Sequence, residues 1–145
     1  MPHTGSCLCG QVRFTIETDP VFVGMCWCRK CQRINSGSPA VAALFPADSP
    51  HFTGQIAERR SIAESGREVT AAFCPTCGCP LYSRIAGDPH IRVRVGLLDN
   101  PDAYPPRAII WASSAPSWAK LDPALPAFPG QPPERRPQSP EGTRA

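Results

Sequence analysis

The sequence predicts a mainly β fold that bound metal stabilises. No segment shows the repeat of apolar residues that a long amphipathic helix requires, whereas turn-forming residues recur roughly every ten residues. Several short segments alternate apolar and polar side chains, the pattern of a half-buried strand. The eight cysteines fall into three tight clusters, which indicates that metal sites tie the sheets together.

The individual strands are predicted from period-two patterns and from the turn residues that bound them. Strands are expected over residues 11–17, 21–23, 40–45, 51–54, 56–62, 69–73, 80–82, 91–97 and 108–111. The alternation is cleanest at 91–97. Residues 32–37 predict a single helical turn that Gly37 ends.

The C-terminal part of the chain is predicted to be less regular. Residues 117–121 are expected to fold back over the core, with Trp118 as an anchor. The chain from Pro123 onward is rich in proline and poor in apolar side chains. At 145 residues one domain is the default, so we expect a zinc domain over residues 1–130 and a proline-rich, disordered tail over residues 131–145.

Composition restricts the protein's compartment and partners. No stretch approaches the roughly 18 apolar residues of a membrane span, and the N-terminus has no signal-peptide pattern, so we expect a cytoplasmic protein without membrane contact. Reducing conditions there favour metal binding over disulfides. The net charge is only +3, without a run of more than two adjacent basic residues, which makes nucleic acid an unlikely partner. The oligomeric state cannot be predicted.

The three cysteine clusters have the spacing of metal ligands. Cys26, Cys28 and Cys31 lie within six residues, too close for ordinary disulfide pairing. The other cysteines are Cys7 and Cys9 near the N-terminus, Cys74 and Cys77 in a zinc-knuckle turn, and Cys79 behind that turn. Eight thiols allow two closed zinc sites, or one closed site and one with an open position.

Spacing favours one particular division of these ligands. Two short chelating pairs, Cys7 with Cys9 and Cys74 with Cys77, can form opposite edges of one closed tetrahedron. Cys26, Cys28 and Cys31 then form a three-thiolate site. Its fourth position is open to an external ligand unless Cys79 fills it.

A zinc ion with three thiolates is electron-rich, which suits the binding of an incoming thiol better than hydrolysis. The neighbouring basic residues Arg29, Lys30 and Arg33 either clamp an anionic substrate or form solvated surface. Trp27 either lines a substrate pocket or packs over the metal loop. The histidines, His3, His51 and His90, have no partner at ligand spacing, and we assign them no role.

Two classes of function are compatible with these residues. The first is a zinc lyase that acts on a small thiol adduct. The second is a non-catalytic, zinc-stabilised module that binds protein or nucleic acid. The fourth ligand of the three-cysteine site separates them, because closure by Cys79 would leave no position for substrate.

The ordered motifs resemble the glutathione-dependent formaldehyde-activating enzyme family, which includes the centromere protein V type domain. The matching segments are Gly5-Ser-Cys-Leu-Cys-Gly-Gln-Val-Arg-Phe14, the cysteines of 26–31, Phe73-Cys-Pro-Thr-Cys-Gly78, Val95-Gly-Leu-Leu-Asp-Asn-Pro101 and the stretch through Trp111 and Trp118 to Pro126. This resemblance covers about residues 4–130.

The resemblance implies an Mss4-like β fold with two zinc ions. By position, Cys7, Cys9, Cys74 and Cys77 match structural zinc ligands, and Cys26, Cys28 and Cys31 match catalytic ones. The implied activity joins glutathione to formaldehyde, formally a carbon–sulfur lyase reaction. Trp27 and Cys79 depart from the family pattern, which commonly has histidine and a small hydroxyl residue at these positions.

Overall fold

The structure is a computed structural model that describes residues 2–132 and confirms the predicted mainly β class. It contains ten strands and one α-helix, with short 3-10 turns at Val95–Leu97, Pro101–Ala103 and Ala112–Ser114. The elements are β1 His3–Ser6, β2 Arg13–Ile16, β3 Phe22–Cys26, α1 Arg29–Ile34, β4 Ala40–Pro46, β5 Pro50–Thr53, β6 Ala57–Ile62, β7 Glu68–Phe73, β8 Pro80–Ile85, β9 His90–Arg94 and β10 Ile109–Ile110.

The strands form two sheets. The smaller has the order β1-β2-β5, and the larger has the order β10-β3-β4-β9-β8-β7-β6. Neighbouring strands are antiparallel except β10, which pairs with β3 in parallel. The larger sheet therefore places β3, which ends at Cys26, beside β4, and β4 separates it from the central strand β9.

Side chains from both sheets meet in one buried core. Phe14 and Ile16 of the smaller sheet pack in the same cluster as Phe45, Ile91 and Val93 of the larger one. Because side chains alternate across a strand, the even-numbered residues of β9 point to the opposite face of the sheet. Burial of one such apolar side chain contributes roughly 1.5–3 kcal/mol to the free energy of folding. A shift of the strand by one residue would expose these side chains, so their burial fixes the register and the face on which each β9 residue lies.

Three local features differ from the sequence prediction. β1 was not expected, because His3–Ser6 has no apolar alternation, and it forms by pairing with β2. The helix begins at Arg29 because the Cys28 sulfur accepts a hydrogen bond from the Cys31 backbone N–H at 3.3 Å and caps it. The strand predicted at 91–97 ends at Arg94, after which the chain tightens into a 3-10 turn.

The prediction that Trp118 anchors the chain over the core is wrong. Its side chain is 71% exposed. The buried aromatic residue of this region is Tyr104, whose hydroxyl bonds to the Nδ1 atom of His3. The Nε2 atom of His3 lies 2.9 Å from an Asp19 carboxylate oxygen, so this histidine ties β1 to the loops around it. The predicted tail lies almost wholly outside the described residues.

Gly54 fixes the turn that carries Cys7 and Cys9. Its φ is +97°, and a Cβ atom there would overlap the backbone carbonyl of Gln11. Gly66, in the β6–β7 hairpin, has a similar φ of +83° but open space around it. Both glycines thus require a positive φ, but only Gly54 lies against another part of the chain.

We expect Gly54→Ala to lower the free energy of unfolding by about 3 kcal/mol, because both the clash and the positive φ are unfavourable. Gly66→Ala should cost only about 1 kcal/mol, the contribution of φ alone. Urea unfolding of the zinc-loaded proteins measures both. Equal decreases in the free energy of unfolding for the two variants would show that the close contact with Gln11 does not contribute to stability.

Asp88 organises the turn between β8 and β9. Its carboxylate accepts hydrogen bonds from Arg92 Nη2 at 2.7 Å and from the backbone N–H of His90 at 2.9 Å. Burial raises the pKa of Asp88, but these bonds and the Arg92 charge outweigh it, so the pKa lies below its ordinary 3.8. The carboxylate therefore holds Arg92 in place.

We expect Asp88→Asn to lower the free energy of unfolding by about 1–2 kcal/mol at pH 7. The pKa of Asp88 is lower in the folded protein than in the unfolded chain. Its contribution to stability is therefore complete above pH 3.8, the ordinary pKa, and is lost as the pH falls through the pKa of the folded state. The difference from wild type should therefore vanish in strong acid. Unfolding curves at several pH values test this, with the exposed Asp102→Asn as a control that should change little.

Candidate metal centre

The first cysteine cluster joins two turns that lie far apart in sequence. Cys7 and Cys9 lie between β1 and β2, and Cys74 and Cys77 lie between β7 and β8. The four sulfurs all lie within 4.8 Å of one another. The structure therefore brings together the four residues that the sequence grouped as a closed site.

Backbone hydrogen bonds shape both turns of this cluster. The N–H of Gly10 donates to the carbonyl of Cys7 at 3.2 Å, and the N–H of Gly78 donates to the carbonyl of Cys74 at 2.8 Å. Both glycines have a positive φ, so each chain reverses tightly enough to direct its two cysteines inward.

The sulfur spacing fits a zinc ion. A tetrahedron with Zn–S bonds of about 2.3 Å has edges of about 3.8 Å, and the Cys7–Cys9 and Cys9–Cys74 sulfurs are 3.6 and 3.8 Å apart. All eight cysteines are free, so disulfides do not account for these contacts. The cluster is thus able to hold a metal ion.

Neighbouring groups favour the thiolate form of one ligand in this cluster, Cys74, and a metal requires that form. Cys74 is fully buried, yet the backbone N–H of Cys77, the strongest influence, and that of Thr76 lower its pKa to about 6. The side-chain amide of Gln11 lies 3.5 Å from the Cys74 sulfur and 2.8 Å from the Thr76 hydroxyl. Such outer contacts hold the ligands in orientation.

The second cluster comes from one short segment. Cys26 ends β3, Cys28 caps α1, and Cys31 lies within α1. Their sulfurs lie within 4.8 Å of one another. The side chain of Cys26, followed by that of Cys31, lowers the pKa of Cys28 by hydrogen bonding, whereas the pKa values of Cys26 and Cys31 are themselves raised. Without a metal ion, the three close thiols therefore favour one thiolate, at Cys28.

The second cluster has no fourth protein ligand in the part of the chain that the structure describes. Among residues 2–132, no further His, Cys, Asp or Glu ligand atom lies within 4.8 Å of all three sulfurs. Cys79 packs against the hydrophobic core instead, its sulfur 3.7 Å from the carbonyl of Pro80. Burial raises the pKa of this thiol. The arrangement in which Cys79 closes the site is therefore not the one observed.

Two questions left open by the sequence are answered by burial. Trp27 is only 6% exposed and packs within the protein, and its backbone N–H donates to the carbonyl of Ile110 at 3.0 Å. Arg29, Lys30 and Arg33 are exposed. They form a charged surface around the helix rather than a preformed clamp.

Sequence reasoning missed Gln32, which supports the cysteine segment from beneath. It is 2% exposed, and its side-chain amide donates to the carbonyls of Trp27 at 2.7 Å and Ser114 at 2.9 Å. Its carbonyl oxygen accepts a bond from Arg29. A glutamine in a polar helical turn gives no sequence signal of burial, since only the packed chain reveals it.

A pocket of about 380 Å³ opens beside the second cluster. Asn35, Ser38, Cys79 and Arg94 contribute to its lining. The N–H of Asn35 donates to the carbonyl of Cys31 at 2.9 Å, so the pocket begins one helical turn beyond a metal-ligand candidate. None of the sequence motifs indicated Arg94 as part of this site.

Fold and site together define a mainly β protein with two cysteine clusters that are able to hold metal ions, compatible with zinc. The sequence model of the family described as glutathione-dependent formaldehyde-activating enzyme matches residues 2–114. The chain therefore belongs to this family, as its motifs suggested. No curated protein sequence matches the chain.

A solved crystal structure, of a Rhodobacter sphaeroides protein, is similar in fold. It is 22% identical to this chain, with a TM-score of 0.53, and the match covers 66% of this chain and 87% of that one. Among residues 2–132, no helix combines the length and apolar character needed to cross a membrane.

We expect two zinc ions per chain, with different consequences of losing each ligand set. Cys74→Ser should lose one zinc and destabilise the fold, because its site joins the two sheets. Cys28→Ser should lose one zinc and keep the β structure. Metal analysis and circular dichroism measure both, and Cys79→Ser is the matched control that should retain two ions. Loss of zinc from Cys79→Ser would contradict the assignment.

Proposed function

We propose that this protein is a zinc-dependent carbon–sulfur lyase of the glutathione-dependent formaldehyde-activating type. It would join a thiol such as glutathione to a small aldehyde such as formaldehyde. The observation that carries the proposal is the cluster of Cys26, Cys28 and Cys31 without a fourth protein ligand among residues 2–132, in a chain of this family.

In this proposal the two clusters have different tasks. Cys7, Cys9, Cys74 and Cys77 hold a structural zinc ion, and their closed set of four thiolates leaves no position for substrate. Cys26, Cys28 and Cys31 hold the catalytic ion. A zinc ion there supplies a Lewis-acid position that favours the thiolate form of an incoming thiol.

The chemistry requires no redox partner. The thiol sulfur forms a bond to the carbonyl carbon, the C=O π bond opens, and the thiol proton ends on the resulting hydroxyl oxygen. Glutathione and formaldehyde thus give S-(hydroxymethyl)glutathione with all atoms conserved. The chain's contribution is to hold the thiol beside the aldehyde, which converts an encounter of two solutes into a reaction within one site.

The chain supplies orientation and charge around this site. Gln32 and the Cys28 cap fix the backbone of the cysteine segment. Exposed Arg29, Lys30 and Arg33 surround it with positive charge, which attracts an anionic thiol from solution. Eight free thiols support our further proposal that the protein works in a reducing compartment such as the cytoplasm.

We expect the zinc-loaded protein to accelerate formation of S-(hydroxymethyl)glutathione above the spontaneous rate. Cys28→Ser should lose at least about 10-fold of the catalysed component, since a ligand of the reacting metal is gone. NMR of ¹³C-formaldehyde follows the reaction, with Arg13→Ala, an exposed residue of β2, as the control that leaves the three-cysteine cluster and its pocket intact.

Failure of wild type to accelerate the reaction would remove formaldehyde and glutathione as its substrates. If the protein also bound no thiol at the second site, the lyase proposal would be wrong. The non-catalytic, zinc-stabilised binding module would then be the better description.

A further inference from the structure

Arg94 lies on the same face of the larger sheet as Cys26. In the strand register, Ala42 of β4 pairs with Gly24 of β3 on one side and with Arg94 of β9 on the other. Cys26 pairs with Ala40, two residues along, and therefore on the same face. The intervening Gly24 and Ala42 have almost no side chain, so they leave space between the arginine and the cysteine cluster.

Arg94 also contributes to the lining of the pocket beside that cluster. Asn35 and Ser38 contribute from the chain after α1, and Cys79 contributes from the start of β8. At about 380 Å³ the pocket lies in the range of small-molecule sites. It has room for the body of a small thiol whose sulfur reaches the neighbouring cluster.

Arg94 lacks the partners that a charged, partly buried side chain normally has. Its Nε atom is buried without a hydrogen-bond partner, and no carboxylate lies within 4.0 Å of it, in both cases counting residues 2–132. Arg92, on the same face, differs because its Nη2 atom is 2.7 Å from Asp88. The unpaired guanidinium of an arginine that lines a pocket is a ready site for an anion.

Arg94 also lies near the cysteine cluster, on the same face of the sheet. The pKa of Cys31 is raised: hydrogen bonding to Cys26 lowers it, but bonding to Cys28, burial and the Cys28 charge outweigh that effect. The Arg94 charge is a further influence that lowers it. Arg94 is thus close enough to act on the cluster. A guanidinium has five N–H donors and can bind a carboxylate through two of them, so Arg94 keeps donors free for a further ligand.

We propose that Arg94 binds a carboxylate of the thiol substrate within this pocket, which makes the protein selective for thiols that carry a carboxylate. The inference rests on the proposed function, because it assumes that a thiol binds at the three-cysteine cluster. It assigns a specificity-determining residue and the substrate class that follows from it.

The test measures thiol binding rather than turnover. Full-length protein with cobalt in place of zinc is titrated with 3-mercaptopropionate and with 2-mercaptoethanol, an anionic and a neutral thiol of similar size. The change in sulfur-to-cobalt charge-transfer absorption gives each Kd, and metal analysis verifies the cobalt content. Arg94→Ala, Arg94→Lys and the control Arg13→Ala, an exposed residue of β2, are compared with wild type.

We expect wild type to bind 3-mercaptopropionate about 10-fold or more tighter than 2-mercaptoethanol, the effect of one charge-assisted, bidentate contact. Arg94→Ala should lose this preference while it keeps its cobalt and its affinity for the neutral thiol. Arg94→Lys should retain part of the preference, because lysine keeps the positive charge but lacks the two parallel N–H donors of a guanidinium. Arg13→Ala should behave as wild type.

Three results would overturn the inference. Equal binding of both thiols by wild type would remove carboxylate selection and leave the proposed function standing. Equal weakening of both thiols, or loss of cobalt, in Arg94→Ala would show that the arginine acts on the metal cluster alone. Absence of any thiol binding by wild type would overturn the proposed function and this inference with it.

Discussion

The structure depends on the cluster of Cys7, Cys9, Cys74 and Cys77, which joins the smaller sheet to the far end of the larger one. Four thiolates that lie this close repel one another unless a cation neutralises them, so a metal ion bound at this cluster would couple its binding to folding. A chain of this size gains from such a link, because its core is limited. The tight turns at Gly10 and Gly78 exist to bring the sulfurs within that distance.

The two clusters differ because of how the chain supplies their ligands. The first takes two pairs from distant turns, which approach from opposite sides and can enclose an ion. The second takes Cys26, Cys28 and Cys31 from six consecutive residues, so its sulfurs approach from one side. A single short segment cannot wrap around an ion, and the uncovered direction is where a substrate position can exist.

Sequence patterns were most reliable where they reflected local geometry. Alternation located most strands, since a half-buried sheet requires it, and cysteine spacing predicted both ligand groups. The patterns failed where packing overrides local preference. β1 forms without apolar alternation because a partner strand accepts it, and Trp118 is exposed although its size suggested an anchor.

The sequence by itself determined the mainly β class, the division of seven cysteines into two groups and the family, because each depends on short-range spacing. Only the tertiary structure decided that Cys79 stands apart from the second cluster, that Gln32 is buried and that Arg94 lines the pocket. The placement of Arg94 depends on the register of β3, β4 and β9. Register is fixed by burial of side chains from distant parts of the chain, which no local pattern records.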